Sequence, residues 1–434
     1  MYAGRRARMT ADRQVGRRLD RLHLISQFRY TSVALFVTTA LCPAYNIRWH
    51  IGFYPTTLLE LAIVATVVIF IVEALPDRSW PQWRTPFTWP AALFILAGLL
   101  SIIVAPDRRA AAGLFRAYIV EPIAIFFIAS FVIRTWRQAL LVVSGLGVAG
   151  LLIAVPHILV VLDAIRRHAP DISLNPPVAI FQTANAVALF LVPLIAVAAS
   201  LFLFDNDRRI RILSGVFLTL AVAATILSFS RGGYLALFVV ALGLVVSHPR
   251  RRVLVPVALA AAVLVALIPP VRARIVHEID LSDPHNSLQG RLQLWRATLR
   301  MMRDHPIFGT GLSGFKRSIN PYRGDYTENL IYPHNILLNF WTETGILGLV
   351  AFIWILVQAF VVPLRGLRRG LQQWRPLHRG VLLAIIGILV HGLVDVPYWK
   401  NDLSLEFWVL LALTWAGVRW ASQDSSERYT STVR

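Results

Sequence analysis

The chain has 434 residues, 56% of them hydrophobic and 15% charged, with a formal net charge of +20 and a mean hydropathy of +0.61. A soluble chain carries about a quarter charged residues, so these values exclude a soluble globular protein and point to a polytopic membrane protein. The positive charge lies in short clusters between apolar runs, which reads as loops facing anionic lipid and not as a nucleic-acid surface. With Cys42 as the sole cysteine, neither a disulfide framework nor a cysteine-based metal site is available.

Residues 1–29 read as a basic cytoplasmic tail, since no short apolar core with a small-residue cleavage site follows them. A crossing needs about 20 apolar residues. On that basis twelve spans are predicted, at 30–47, 53–75, 87–105, 114–133, 138–162, 177–204, 211–229, 233–248, 253–270, 336–361, 380–396 and 404–421. The expected fold is all-α. Spans one to nine occupy 30–270, a large outer loop with amphipathic helices 271–335, spans ten to twelve 336–421, and a short polar, flexible tail 422–434. The arginine-rich connections RRARMTADRQVGRRLDR, PDRSWPQWR, RTWRQ, DNDRRIR, HPRRR and PLRGLRRGLQQWRPLHR all fall on one side of this threading, which the positive-inside rule makes cytoplasmic. Both termini are then expected inside.

The outer face nevertheless carries arginines. Arg231 sits in ILSFSRGGYLAL, at a turn between spans seven and eight. An uncompensated charge at membrane depth costs several kcal/mol, so Arg231 either snorkels to the interface or has a partner. Further arginines lie in GRLQLWRATLRMMRDHP, where Arg296, Arg300 and Arg303 share one face of an amphipathic helix and Leu292, Leu294, Trp295, Leu299 and Met302 supply the apolar positions. Such a helix could lie on the membrane surface. Arg291 falls in its first turn. Arginines gathered where they should be depleted call for an anionic ligand.

In YPHNILLNFWTETGILGL, Pro333 favours a helix start and places His334 in the first turn of span ten, where the helix dipole favours neutral imidazole. Asn335 could cap the helix or orient His334. Gly345 and Gly348 would let another helix approach. Asp395, near the end of span eleven, must pair or reach water, and His334 or an outer arginine are the available partners. Lys400 and Asp402 follow in the outer loop, with plain solvation an alternative for Asp402. Glu60 and Glu121 are intramembrane acids, and Arg116 is the plain partner for Glu121.

His334-Asn335, nine residues, and then Gly345-Ile346-Leu347-Gly348 resembles in full the signature of the O-antigen ligase family, whose domain is shared with O-antigen polymerases and some protein-glycosylating ligases. Ser230-Arg231-Gly232 resembles the family's outer-face arginine motif. Gly290-Arg291 before Trp295, with Pro306 and Gly309-Thr310-Gly311 downstream, resembles its loop arginine. Asn185 and Glu121-Pro122 are similar to further family positions. The resemblance implies a GT-C-like glycosyltransferase of the bacterial inner membrane, working on the periplasmic side. It would move a glycan from undecaprenyl diphosphate to a hydroxyl of lipid A–core or another acceptor, inverting the anomeric carbon without a metal or nucleotide sugar. His334 would be the general base, while Arg231 and Arg291 would bind the diphosphate leaving group. Arg296, Arg300, Asn335 and Lys400 would assist in binding, with Asp395, Glu121 and Asp402 orienting or supporting. The partners implied are the lipid-linked glycan, its acceptor and membrane lipids, with no nucleic acid. A polymerase or protein O-glycosylating ligase fits the same residues. A twelve-helix secondary transporter is the reading from another class, and it would place substrate groups near the bilayer midplane.

Overall fold

The structure is a computed structural model. It describes residues 28–432 except 53, 77, 82, 171, 173–175, 268–271, 273–286 and 325–330; the basic tail at 1–27 and much of the early outer loop lie outside the described residues. The protein is nearly all-α. In chain order, α1 (Arg29–Ala40) leads through a 3-10 turn to a two-stranded hairpin, β1 (Arg48–Ile51) and β2 (Tyr54–Thr57). Then follow α2 (Leu58–Ala74), α3 (Thr88–Val104), α4 (Arg108–Phe115), a π turn at Arg116–Val120, α5 (Glu121–Val132), α6 (Trp136–Arg166), α7 (Ala184–Phe204) and α8 (Arg208–Leu227). The chain continues as α9 (Arg231–Val246), α10 (Arg251–Leu267), α11 (Ser287–Asp304), the single turn α12 (Phe315–Ser318), α13 (Ile336–Arg369), α14 (Arg375–Gly392) and α15 (Asn401–Thr432). Each predicted span contains a helix. Among the described residues, five helices are long and apolar enough to cross a membrane: Arg108–Val132, Trp136–Arg166, Ala184–Phe204, Arg208–Leu227 and Ile336–Arg369.

Capping side chains set many of the starts. Thr57, Asp107, Thr135, Asp207, Ser230 and Asn335 each accept a backbone N–H of the helix they precede, and at Thr135 the reciprocal bond from Gln138 completes a capping box. α7 is the buried centre. α14 packs along it closely enough that a Cβ on Gly380 would stand 2.7 Å from Val197 Cα, while α8 and α9 flank the pair. Outward-facing aliphatics such as Leu159, Leu213 and Val253 remain exposed, as lipid contact requires.

The structure departs from the sequence expectations in four places. The stretch expected to begin span two is the β hairpin. The tail expected to be flexible continues helix α15 through Thr432. α11 does not offer an apolar face to lipid: Leu294, Ala297, Met301 and Met302 are buried against Phe315 and Ile319, with Trp341 alongside, so the outer loop has its own small core. Leu299, expected to be apolar-facing, is exposed.

The fourth departure is in α13. Gly345 has φ 68° and ψ −173°, which breaks the helix into an outer and an inner half. The Gly309–Gly311 loop fills the break: Thr310 N donates to Thr342 O at 2.7 Å, and Ile346 N donates to Ile307 O at 2.9 Å. Ser101 Oγ on α3 donates to Glu343 O (2.6 Å) and accepts from Leu312 N (2.7 Å), while the buried Glu343 carboxylate accepts from Ser313 N (2.6 Å). Gly345 therefore admits a loop, not a neighbouring helix.

Candidate functional site

The named residues meet at one end of the helices. Asn185 lies in the first turn of α7, Arg231 opens α9, His334 immediately precedes α13, and Asp395 follows α14 by three residues. The residues expected at the starts of spans six, eight and ten and at the end of span eleven are thus grouped at one end.

His334 is not in the first helical turn. It precedes the cap, in the left-handed region at φ 47°. Asn335 is the cap: its Oδ1 accepts from Leu337 N and Leu338 N, both at 3.1 Å, and its Nδ2 donates to Leu393 O at 3.1 Å. That last bond fastens the His334 turn to the segment bearing Asp395. His334 Nδ1 lies 3.2 Å from Asp395 Oδ1. Asp395 also accepts from Val396 N at 2.9 Å and, through Oδ2, from Asn185 Nδ2 at 3.2 Å. An ionised carboxylate only accepts, so Nδ1 carries the hydrogen, and in the neutral ring Nε2 is the nitrogen with the lone pair. The tautomer of the neutral ring is thus set by Asp395. The His334 side chain is 26% exposed, which leaves the ring open to substrate.

The segments that carry two arginines meet around His391 and His334. Gly232, next to Arg231, packs on this histidine so closely that a Cβ there would lie 2.7 Å from its ring. Arg291 and Asp395 both act on His391 electrostatically. Arg291 is placed by Trp295, one turn along the same face of α11, whose indole donates to Pro333 O at 2.9 Å beside His334. The Arg231 turn is held by Ser230 Oγ, accepting from Gly233 N at 3.2 Å, and by Tyr234 OH, donating to Ile226 O at 2.6 Å. Phe229 there has φ 51°, a conformation rare for a bulky residue. Both turns that present a candidate residue therefore hold a strained backbone, as functional turns often do.

The remaining candidates sit apart or are already engaged. Arg300 Nη2 donates to Tyr322 O at 2.6 Å, and Tyr322 OH donates to Asp304 at 2.5 Å, which raises the phenol above its ordinary range. Arg296 is exposed. Lys400 Nζ lies 5.2 Å from the Phe181 ring centroid. Glu121 pairs with Arg116 Nε at 3.0 Å, and the same guanidinium reaches Glu60 at 2.9 Å and stacks on Tyr54. Asp402 is not solvated: it is buried in the first turn of α15. Beneath the site, Phe340, Tyr398 and Trp399 pack ring on ring and fix the loop between α14 and α15. His391, buried and touching Gly232, is the residue that sequence reasoning missed; a histidine inside an apolar helix reads as core. Among the described residues no group of three or more histidine, cysteine or acidic side chains could hold a metal ion.

Residues 215–353, from within α8 to the inner half of α13, match the O-antigen ligase family profile. Over that segment the chain is similar to the O-antigen ligase family. The matched segment contains Arg231, Arg291 and His334; Asn185, His391 and Asp395 lie outside it and join it through the contacts above. An uncharacterised protein of Haemophilus influenzae is 24% identical over 177 residues, covering 36% of this chain and 44% of the relative. The chain thus spans less than half the length of that relative.

Proposed function

We propose that the protein is a membrane glycosyltransferase that moves a glycan from undecaprenyl diphosphate to a hydroxyl of lipid A–core on the periplasmic face of the inner membrane. The observation that carries this reading is the His334–Asp395 pair at 3.2 Å, beside the turn that carries Arg231 and the helix that carries Arg291. In the reaction the acceptor hydroxyl attacks the anomeric carbon as His334 Nε2 takes its proton. The bond to the diphosphate breaks with inversion, and the diphosphate leaves as a stable anion that needs no general acid. Guanidinium forks suit that anion, since they offer paired donors to phosphate oxygens. They supply the charge a metal would otherwise bring, so the reaction is proposed to be metal-independent, with no nucleotide sugar. A polymerase or a protein O-glycosylating ligase would differ only in the acceptor. The collection of these groups at helix ends, and not at mid-span, favours surface chemistry over a carrier in the proposed GT-C-like, twelve-span fold.

The test uses purified protein, an undecaprenyl-diphosphate glycan and lipid A–core, with EDTA present. Glycan transfer to lipid A–core is expected, with His334→Ala reducing it about 10²–10⁴-fold, the usual worth of a general base, and Arg231→Ala by a similar factor. Chain growth on the carrier alone would identify a polymerase. Full activity of both variants would refute the assigned roles.

A further inference from the structure

The opposite helix ends hold a second built site. α14 has 18 residues, about 27 Å at 1.5 Å per residue, so Arg375 and Arg379 stand far from the Asp395 end. Here a cavity of about 460 Å³ is bordered by Arg137, Arg375, Arg379, Phe204, Asp205 and Asp207. The Arg379 guanidinium lies over the Phe204 ring, 3.9 Å from its centroid, so its fork is pre-oriented. Among the described residues none of the three guanidiniums pairs with a carboxylate. Asp205 and Asp207 each accept one backbone N–H, from Asp207 N at 2.8 Å and Arg209 N at 2.7 Å, and each keeps further acceptor capacity.

A second cavity, about 510 Å³, shares Arg137, Leu140 and Ile210 with the first and continues between α6, α7 and α8. Its walls are almost wholly aliphatic, and along α6 it reaches Leu151. Fourteen residues of helix separate Arg137 from Leu151, about 21 Å. That exceeds half of the roughly 30 Å hydrocarbon core, the depth one leaflet supplies. A basic head compartment therefore opens into an apolar tail compartment, and Arg137 borders both.

We propose that this end of the protein binds one aminophospholipid of the phosphatidylethanolamine class. Its phosphate diester lies among the three arginines, its ammonium faces Asp205 and Asp207, and one acyl chain fills the groove. The two carboxylates decide the headgroup. A purely anionic head would meet them unfavourably, whereas a zwitterion finds a partner for each of its charges. The site would take its lipid from the cytoplasmic leaflet in the proposed threading, and it uses no residue assigned to glycan transfer.

The test is lipid retention by the full-length protein, measured by native mass spectrometry after exchange into vesicles of phosphatidylethanolamine, phosphatidylglycerol or their mixture. Preferential retention of one phosphatidylethanolamine is expected, falling at least tenfold in Arg375→Gln/Arg379→Gln. Asp205→Asn/Asp207→Asn should invert the preference toward phosphatidylglycerol. Leu213→Trp, on the groove wall and exposed, should weaken lipid retention while leaving the head compartment intact. Equal retention of both lipids that ignores the arginine variant, in protein with unchanged melting, would mean annular lipid only and overturn the proposal. So would wild-type preference for phosphatidylglycerol. Competition by soluble glycerophosphoethanolamine at the concentration effective for the lipid would show a soluble-headgroup site and an idle groove, which also overturns it.

Discussion

Asp395 accepts three bonds, from His334, from Asn185 and from its own neighbour Val396, and each bond depends on its being an acceptor. In Asp395→Asn the amide can present a donor to Nδ1, which selects the other imidazole tautomer and places the hydrogen on Nε2. The expected result is a fall in kcat within the 10²–10⁴-fold worth of the base, with the donor KM and the melting temperature little changed. An unaltered kcat would sink the positioning role. His334, Asn335 and Asp395 were legible in the sequence because their residue types and spacing are uncommon in an apolar chain. The pairing itself was one of two options, since 61 residues separate the partners. Arg300 was read from helical spacing alone, and nothing in that spacing reveals that its guanidinium is spent on Tyr322 O.

Between residue and molecule, the break in α13 and the indole bond of α11 decide where the two halves of the site stand. A Cβ on Gly345 would lie 2.3 Å from Ile307 O, a backbone atom with no freedom to move aside, and φ 68° strains any other residue. Gly345→Ala should therefore reduce the yield of folded protein sharply, read as monodisperse material by size-exclusion chromatography; wild-type yield would disprove the fit. Trp295→Phe keeps the ring but loses the bond to Pro333 O. It should cost about 0.5–1.5 kcal/mol and lower transfer without unfolding the protein, checked by melting and kcat together. The start at Ile336 was legible because Asn335 could be read as a cap, whereas starts placed by apolar run length alone miss by up to seven residues, as at Ala184. The break was not, because GILG within an apolar run reads as continuous helix. The hairpin was missed for a similar reason: Tyr54-Pro55 was counted as the head of a span.

Across the whole molecule, the two proposed sites lie at opposite helix ends, and the proposed threading puts them on opposite sides of the membrane. Cys42 is buried and is the only cysteine, so the wild-type chain provides a silent background for labelling. In intact cells, an impermeant thiol reagent should label Lys316→Cys in the outer loop and spare Asn206→Cys until the membrane is opened. Labelling of both, or the reverse pattern, would overturn the threading. Alternating runs of apolar residues and arginines made the all-helical membrane fold readable. The depth at which the loop enters the bundle was not readable, since it depends on contacts such as Ser101 with Leu312, 211 residues apart. Those contacts also bear on biogenesis. The backbone groups of Thr342, Glu343 and Ile346 released by the break are satisfied by Ile307, Thr310 and Ser101, all of which precede α13 in the chain. Lipid offers no substitute for such partners. The nascent chain therefore makes the lining of the break before the break itself emerges, and moving the 306–313 loop to a position after α13 would leave that span to insert with its polar backbone bare.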